Sequence, residues 1–248
     1  MSHRFTRPFG LGTLTALAAL ASLGLVACGD DDPTEPDEVA NVRIVNASPS
    51  TGAITANSDE SIIATNVAFQ TSTLSGGCGT VEHDDDADIE FFSAGTSNGL
   101  GEIEYNFEAQ KSYTVVFYAP NNATVYPETY TLPSAGNNAL RFINATGSTG
   151  DVYLTTTTAG ISGAPTVAAL ASKQASGFNS GSAPGGTFVE YPQSNVRVRM
   201  FNVGQTTGTP LADFTIQAIA TNHVATIVLT PPPVGGTSTA FMVGSCVP

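Results

Sequence analysis

Beyond its amino-terminal segment, the densest acidic cluster of this 248-residue chain is His83-Asp84-Asp85-Asp86-Ala87-Asp88. Asp84, Asp86 and Asp88 stand at alternate positions, the spacing with which hard oxygen ligands begin to wrap a calcium ion. The rest of the pattern departs from an EF-hand, because Ile89 occupies the glycine position and Gly95 the glutamate position. A solvated acidic loop is the stronger reading, and Ca²⁺ is the only cofactor the sequence suggests. A second group is aromatic: Tyr118, Tyr126 and Tyr130 cluster among Asn, Thr and Pro. Exposed tyrosines of this kind could stack on sugar rings, although in a two-stranded ribbon the plainer expectation is cross-strand packing. His83 and His223 are the only histidines beyond His3. A Ser–His–Asp hydrolase needs a histidine beside a nucleophile. Gly95-Thr96-Ser97-Asn98-Gly99 has the letters of the Gly-x-Ser-x-Gly pattern, but that elbow is a strand-to-helix turn and helical periodicity is nearly absent from the chain. No P-loop, dinucleotide fingerprint or His-Glu-x-x-His zinc motif occurs. No catalytic residue is expected.

The elements that carry these residues follow from composition. Charged residues make up 12% and apolar ones 41%, so the bulk of the chain is neither disordered nor membrane-embedded. Gly, Thr, Ser, Asn and Ala dominate the polar positions, which suits short strands joined by many turns. Eight basic and 21 acidic residues give a formal charge of −13. Nucleic acid is excluded as a partner on that balance, since phosphate binding needs clustered Lys and Arg.

The amino terminus has the order of a secretory signal: Arg4 and Arg7, an apolar run from Phe9 to Val26, then Cys28. Leu25-Val26-Ala27-Cys28 resembles the lipobox of bacterial lipoproteins. That resemblance implies lipid on the Cys28 sulfur and cleavage before it, leaving a mature charge of 6 − 21 = −15. Acyl chains give stable membrane anchoring when two or three act together. Gly29 to Val39 is acidic and proline-containing, and reads as an extended tether. The location expected is the bacterial cell envelope, on the outer membrane and exposed at its surface. Once Cys28 is lipidated, Cys78 and Cys246 remain, and outside the cytoplasm they are expected to pair as a disulfide.

The polar region repeats itself. Arg43, Asn46, Ala47, Ser50, Thr51 and Gly52 recur as Arg141, Asn144, Ala145, Ser148, Thr149 and Gly150. Farther on, 89–95 lines up with 198–204 and 113–120 with 224–231. One domain of about 100 residues is present twice. Each copy opens with an apolar strand ending in Asn-Ala and a hydroxyl residue, where side-chain bonds to the local backbone turn the chain. Regular short strands predict an all-β fold of two tandem Ig-like antiparallel β-sandwich domains. A single helical turn is expected within 166–174. The boundaries read are 1–27 signal peptide, 28–39 lipidated cysteine and acidic linker, 40–136 first sandwich and 137–248 second sandwich. Val42-Arg-Ile-Val-Asn-Ala-Ser-Pro49, with its second copy, resembles the domain-of-unknown-function 4397 family. That resemblance implies a bacterial envelope β-sandwich and supplies no catalytic residues. The second copy departs at Thr146-Gly147, where the family has Ser-Pro.

These features predict a non-catalytic, lipid-anchored envelope protein acting in adhesion or in surface and matrix scaffolding, with a surface protein or glycan as partner. The rival readings are a glycan- or small-ligand-binding module and an envelope hydrolase dependent on His223.

Overall fold

The computed structural model describes residues 39–59, 61–73, 77–83, 87–129, 132–176, 189–192, 195–216, 223–232 and 239–244. The signal sequence and tether lie outside them. Among the described residues the fold is all-β, in four sheets that form two sandwiches.

In the first sandwich, one sheet has β1 (Val39–Asn46) beside β8 (Ser112–Ala119), which pairs with β9 (Asn122–Pro127). The short strands β4 (Thr71–Ser72) and β5 (Gly79–Glu82) border the other side of β1. The facing sheet runs β3 (Ser61–Val67), β2 (Ile54–Ser58), β6 (Ala87–Ser93), β7 (Gly99–Tyr105). Ala40, Val42, Ile44, Ile54, Ile89, Phe91, Val115 and Phe117 fill the space between. The second sandwich repeats the plan. One sheet runs β13 (Val189–Pro192), β10 (Asn137–Asn144), β16 (Val224–Thr230), β17 (Thr239–Gly244). The other runs β12 (Val167–Leu170), β11 (Gly150–Thr156), β14 (Val196–Asn202), β15 (Ala212–Ile216). Its own core holds Leu140, Phe142, Val198, Met200, Ile227 and Leu229.

Three details differ from the sequence expectation. The β1–β8 and β10–β16 pairs are parallel, so these two sheets are mixed rather than antiparallel. Each first strand feeds a strand of the facing sheet, and the chain later returns beside it in the same direction. Residues 167–170 form strand β12 and not a helical turn, because they pair with the edge of β11. The repeat also slips by one residue in its last match. Arg43 neighbours Thr114 and Arg141 neighbours Thr226, so Thr114 corresponds to Thr226, not to Ala225. A shift of one residue would place every side chain on the wrong face.

The Asn-Ala turns behave as their chemistry requires. Asn46 is fully buried; its Oδ1 accepts from Ser48 N–H at 3.0 Å, and its Nδ2 donates to the carbonyls of Gly52 (2.6 Å) and Val67 (3.0 Å). Asn144 does the same with Thr146, Ser148 and Leu170. Both bind the end of a first strand to the chain that crosses to the facing sheet.

The strands β8, β10 and β16 are buried along nearly their whole length, whereas β7 alternates. Continuous burial means that both faces are covered. One face of β1, β8 and β10 covers its own core. The other meets the neighbouring sandwich, where Val45, Ala47, Val116 and Tyr126 pack against Ile143, Ala145, Ala175, Val228 and Val243. Residues 37–248 are accordingly one compact unit.

Candidate functional site

The contact between the sandwiches has a polar centre that the sequence reading missed. Arg141 is 2% exposed and Glu128 is 1% exposed at the side chain, and their charged groups lie 3.9 Å apart. Arg141 Nε donates to Thr226 Oγ1 at 3.1 Å, and Nη1 donates to the Pro127 carbonyl at 2.7 Å. Thr114 Oγ1 donates to Glu128. Burial pulls the Arg141 guanidinium below its ordinary value, and Glu128 acts in the opposite sense. Arg43 is buried nearby under the same two influences. A charged residue repeated inside an apolar strand was the signal available, since such groups are buried only when paired.

The predicted tyrosines belong to this interface. Tyr126 is 2% exposed, and its hydroxyl donates to the Lys173 carbonyl at 2.7 Å. That commits its only proton, so Tyr118 donates to it across 2.5 Å. Lys173 Nζ lies 6.0 Å from the Tyr118 ring centroid. Burial pushes the Tyr118 phenol well above its ordinary value, and the Tyr126 phenol to about 12 despite the bond from Tyr118. The sugar-stacking role considered for Tyr126 is corrected by this packing, because a buried ring offers no face to a ligand; Tyr118 is partly buried at the edge of the same contact. Tyr130 lies outside the described residues.

The remaining candidates separate. Asp84 and Asp86 lie outside the described residues, and Asp88 sits on β6 opposite Glu104. Among the described residues no cluster of three His, Cys, Asp or Glu side chains could hold a metal ion. His83 Nδ1 is 2.7 Å from the Phe107 carbonyl oxygen, to which it donates. The His223 backbone N–H bonds Asn138 Oδ1 at 3.1 Å at the entry to β16. Cys78 Sγ accepts from Arg43 Nη2 at 3.5 Å. Its expected partner Cys246, and the lipid acceptor Cys28, lie outside the described residues.

A concavity lies on the outer face of the β3–β2–β6 sheet, away from the interface. Ile54, Ala56 and Phe91 point into the core, so Thr55, Asn57 and Phe92 point out. Phe92 stands beside Thr55 on one side and Gly99 on the other. Gly99 carries no side chain to cover the ring, and a Cβ there would meet nothing within 4 Å. The groove contains about 840 Å³ and is lined by Thr55, Asn57, Ile62, Asn66, Phe92 and Thr96 among others. Ile62 is 63% exposed. The lining carries no charge. Asn57 Oδ1 is shielded from solvent and has no hydrogen-bond partner among the described residues. Beyond the groove the same face turns acidic, with Glu90 opposite Glu102 and Asp88 opposite Glu104. The corresponding ring of the second sandwich, Phe201, is 4% exposed and packs edge-on against Tyr153. An open ring is thus a property of the first sandwich. Phe92 is not among the candidates from sequence, because a phenylalanine that directly follows a core residue reads as part of a buried strand.

The fold and its faces define an all-β protein of two joined sandwiches. Residues 40–155 match the model of a family described as a domain of unknown function, DUF4397. The resemblance read in the opening strand therefore holds from β1 through nearly all of β11. No curated protein matches the chain. Two solved structures illustrate its likeness to others. One comes from work on alpha-glucan recognition by family 41 carbohydrate-binding modules of streptococcal virulence factors. It is 11% identical, with 82% of this chain and 96% of that chain covered and a TM-score of 0.27. The other is a family 26 carbohydrate-binding module from Eubacterium rectale Amy13K in complex with maltoheptaose. It is 12% identical, with 84% and 98% covered and a TM-score of 0.22.

Proposed function

We propose that this protein is a non-catalytic, lipid-anchored envelope protein whose first sandwich recognises a neutral glycan in the Phe92 groove. The groove itself carries the proposal. A partly exposed ring suits the apolar face of a sugar, and a ring flanked by hydroxyl and carboxamide groups supplies the few convergent polar contacts a small-ligand site needs. The acidic border formed by Glu90 and Glu102, on a chain of net charge −13, disfavours uronic or sialic acids. Anchoring through Cys28 would hold this surface on the outer membrane, at the end of the acidic tether, in a role of adhesion or surface scaffolding.

The test is a glycan array probed with the folded chain and with Phe92→Ala. Binding of neutral oligosaccharides that falls at least about tenfold in the variant is the expected result, since loss of one stacked ring is worth about 1.4 kcal/mol or more. An array blank for neutral glycans, or binding indifferent to Phe92, would remove the reading. Anchoring is tested separately: Cys28→Ala should release the protein from the membrane fraction.

A further inference from the structure

The joint between the sandwiches is built from corresponding positions on both sides. Val45 corresponds to Ile143, Ala47 to Ala145 and Val116 to Val228, and all six lie in the joint. Tyr126 stands beside Thr114 on β9 as Val243 stands beside Thr226 on β17, and both lie there too. The contacts are also reciprocal. Gln70 and Lys173 occupy the same turn: each donates its N–H to the carbonyl of Asn46 or Asn144, with φ of 61° and 60°. Gln70 Nε2 crosses to Thr230 of the second sandwich at 2.9 Å. Lys173 crosses to Tyr118 and Tyr126 of the first, and Tyr118 is the counterpart of Thr230. Reciprocity of this kind defines an isologous contact, in which one surface meets its own equivalent.

We infer that the β1–β8–β9 face of the first sandwich is a self-complementary docking surface whose partner is the same face of a second copy of this chain. The charges choose that occupant. Pairing two first sandwiches brings together two Arg43 and two Glu128, which balance. Pairing two second sandwiches brings together two Arg141; β10, β16 and β17 contain no acidic side chain, and the one acid of that sheet, Glu190 on β13, is exposed and held by Ser134 and Asn137. Buried charge without a partner disfavours that arrangement. In the intact chain the second sandwich occupies the surface, so self-association needs the joint to open. This inference is independent of the glycan groove, which lies on the opposite sheet.

The experiment uses the full chain with thiols reduced. Ile143→Asp with Val228→Asp spoils the second sandwich's face, and Val45→Asp with Val116→Asp spoils the first. All four side chains point away from their own sandwich core. Light scattering should give twice the chain mass for the first variant and a single chain mass for the second. Single mass for both, or double mass for both, overturns the inference. Should either variant lose its strand circular dichroism, the wild-type chain is cut at a protease site placed in the exposed segment 134–136. Native mass spectrometry should then find pairs of first halves and no pairs of second halves. Absence of the former or presence of the latter overturns it.

Discussion

Replacing Glu128 by Gln removes one charge and almost no volume from the joint between the sandwiches. At 3.9 Å from Arg141, and with the effective dielectric of about 20 suited to protein sites, the lost attraction is about 4 kcal/mol. Breaking one side of a buried pair costs about 3–5 kcal/mol in general. Gln still accepts from Thr114, and Arg141 keeps Pro127 and Thr226, so a cost near 3 kcal/mol is expected. With a urea dependence of about 2–3 kcal/mol/M, the unfolding midpoint should fall by about 1–1.5 M. Arg141→Met alone should cost a similar amount, because it strands the carboxylate. The double variant should cost less than the sum by about 2 kcal/mol, the coupling of groups in direct contact. Equilibrium urea unfolding of the four proteins closes the cycle. A midpoint shift under about 0.3 M for Glu128→Gln, or additive single effects, would refute the reasoning that this pair is buried and coupled.

Asn144→Ala should cost about 2–3 kcal/mol in the same assay, because it leaves two carbonyls and one N–H without the amide that joins them; an effect near zero would mean water replaces it. The two phenols predict an alkaline limit. Their folded pKa values are raised, so their contribution is complete below the unfolded value of about 10 and is lost as pH rises through about 12 for Tyr126. Urea midpoints should therefore drop between pH 10 and 12, and Tyr126→Phe should flatten that drop; an unchanged slope in the variant counts against the cause. If Cys78 and Cys246 are bridged as expected, reductant should lower stability, by at most about 5 kcal/mol for so long a loop. Cys78→Ser should then be insensitive to reductant.

Much of this architecture could be read in the sequence because burial writes itself as pattern. The alternation of Gly99-Leu-Gly-Glu-Ile-Glu-Tyr105 marks a strand with one wet face. The unbroken Val224-Ala-Thr-Ile-Val-Leu-Thr230 marks one covered on both. A pattern of strands alone does not say what covers the second face of the unbroken one. The repeated Arg43 and Arg141 carried the same message, because an arginine in an apolar strand needs a buried acceptor, here Glu128 and Pro127. The register slip at Thr114 was not legible, since β-branched and apolar residues on both sides make adjacent alignments nearly equivalent until pairing fixes them. The groove was illegible for another reason. Phe92 and Phe201 occupy corresponding positions, and their difference lies in neighbours brought from elsewhere, Gly99 in one case and Tyr153 in the other.

The claim that a neutral glycan occupies the Phe92 groove is tested most directly by NMR titration of the isotope-labelled chain with a neutral oligosaccharide that binds it. The account predicts saturable shifts confined to Thr55, Asn57, Ile62, Phe92 and Thr96, abolished in Phe92→Ala. Shifts centred instead on the second sandwich, with this face silent, would contradict it.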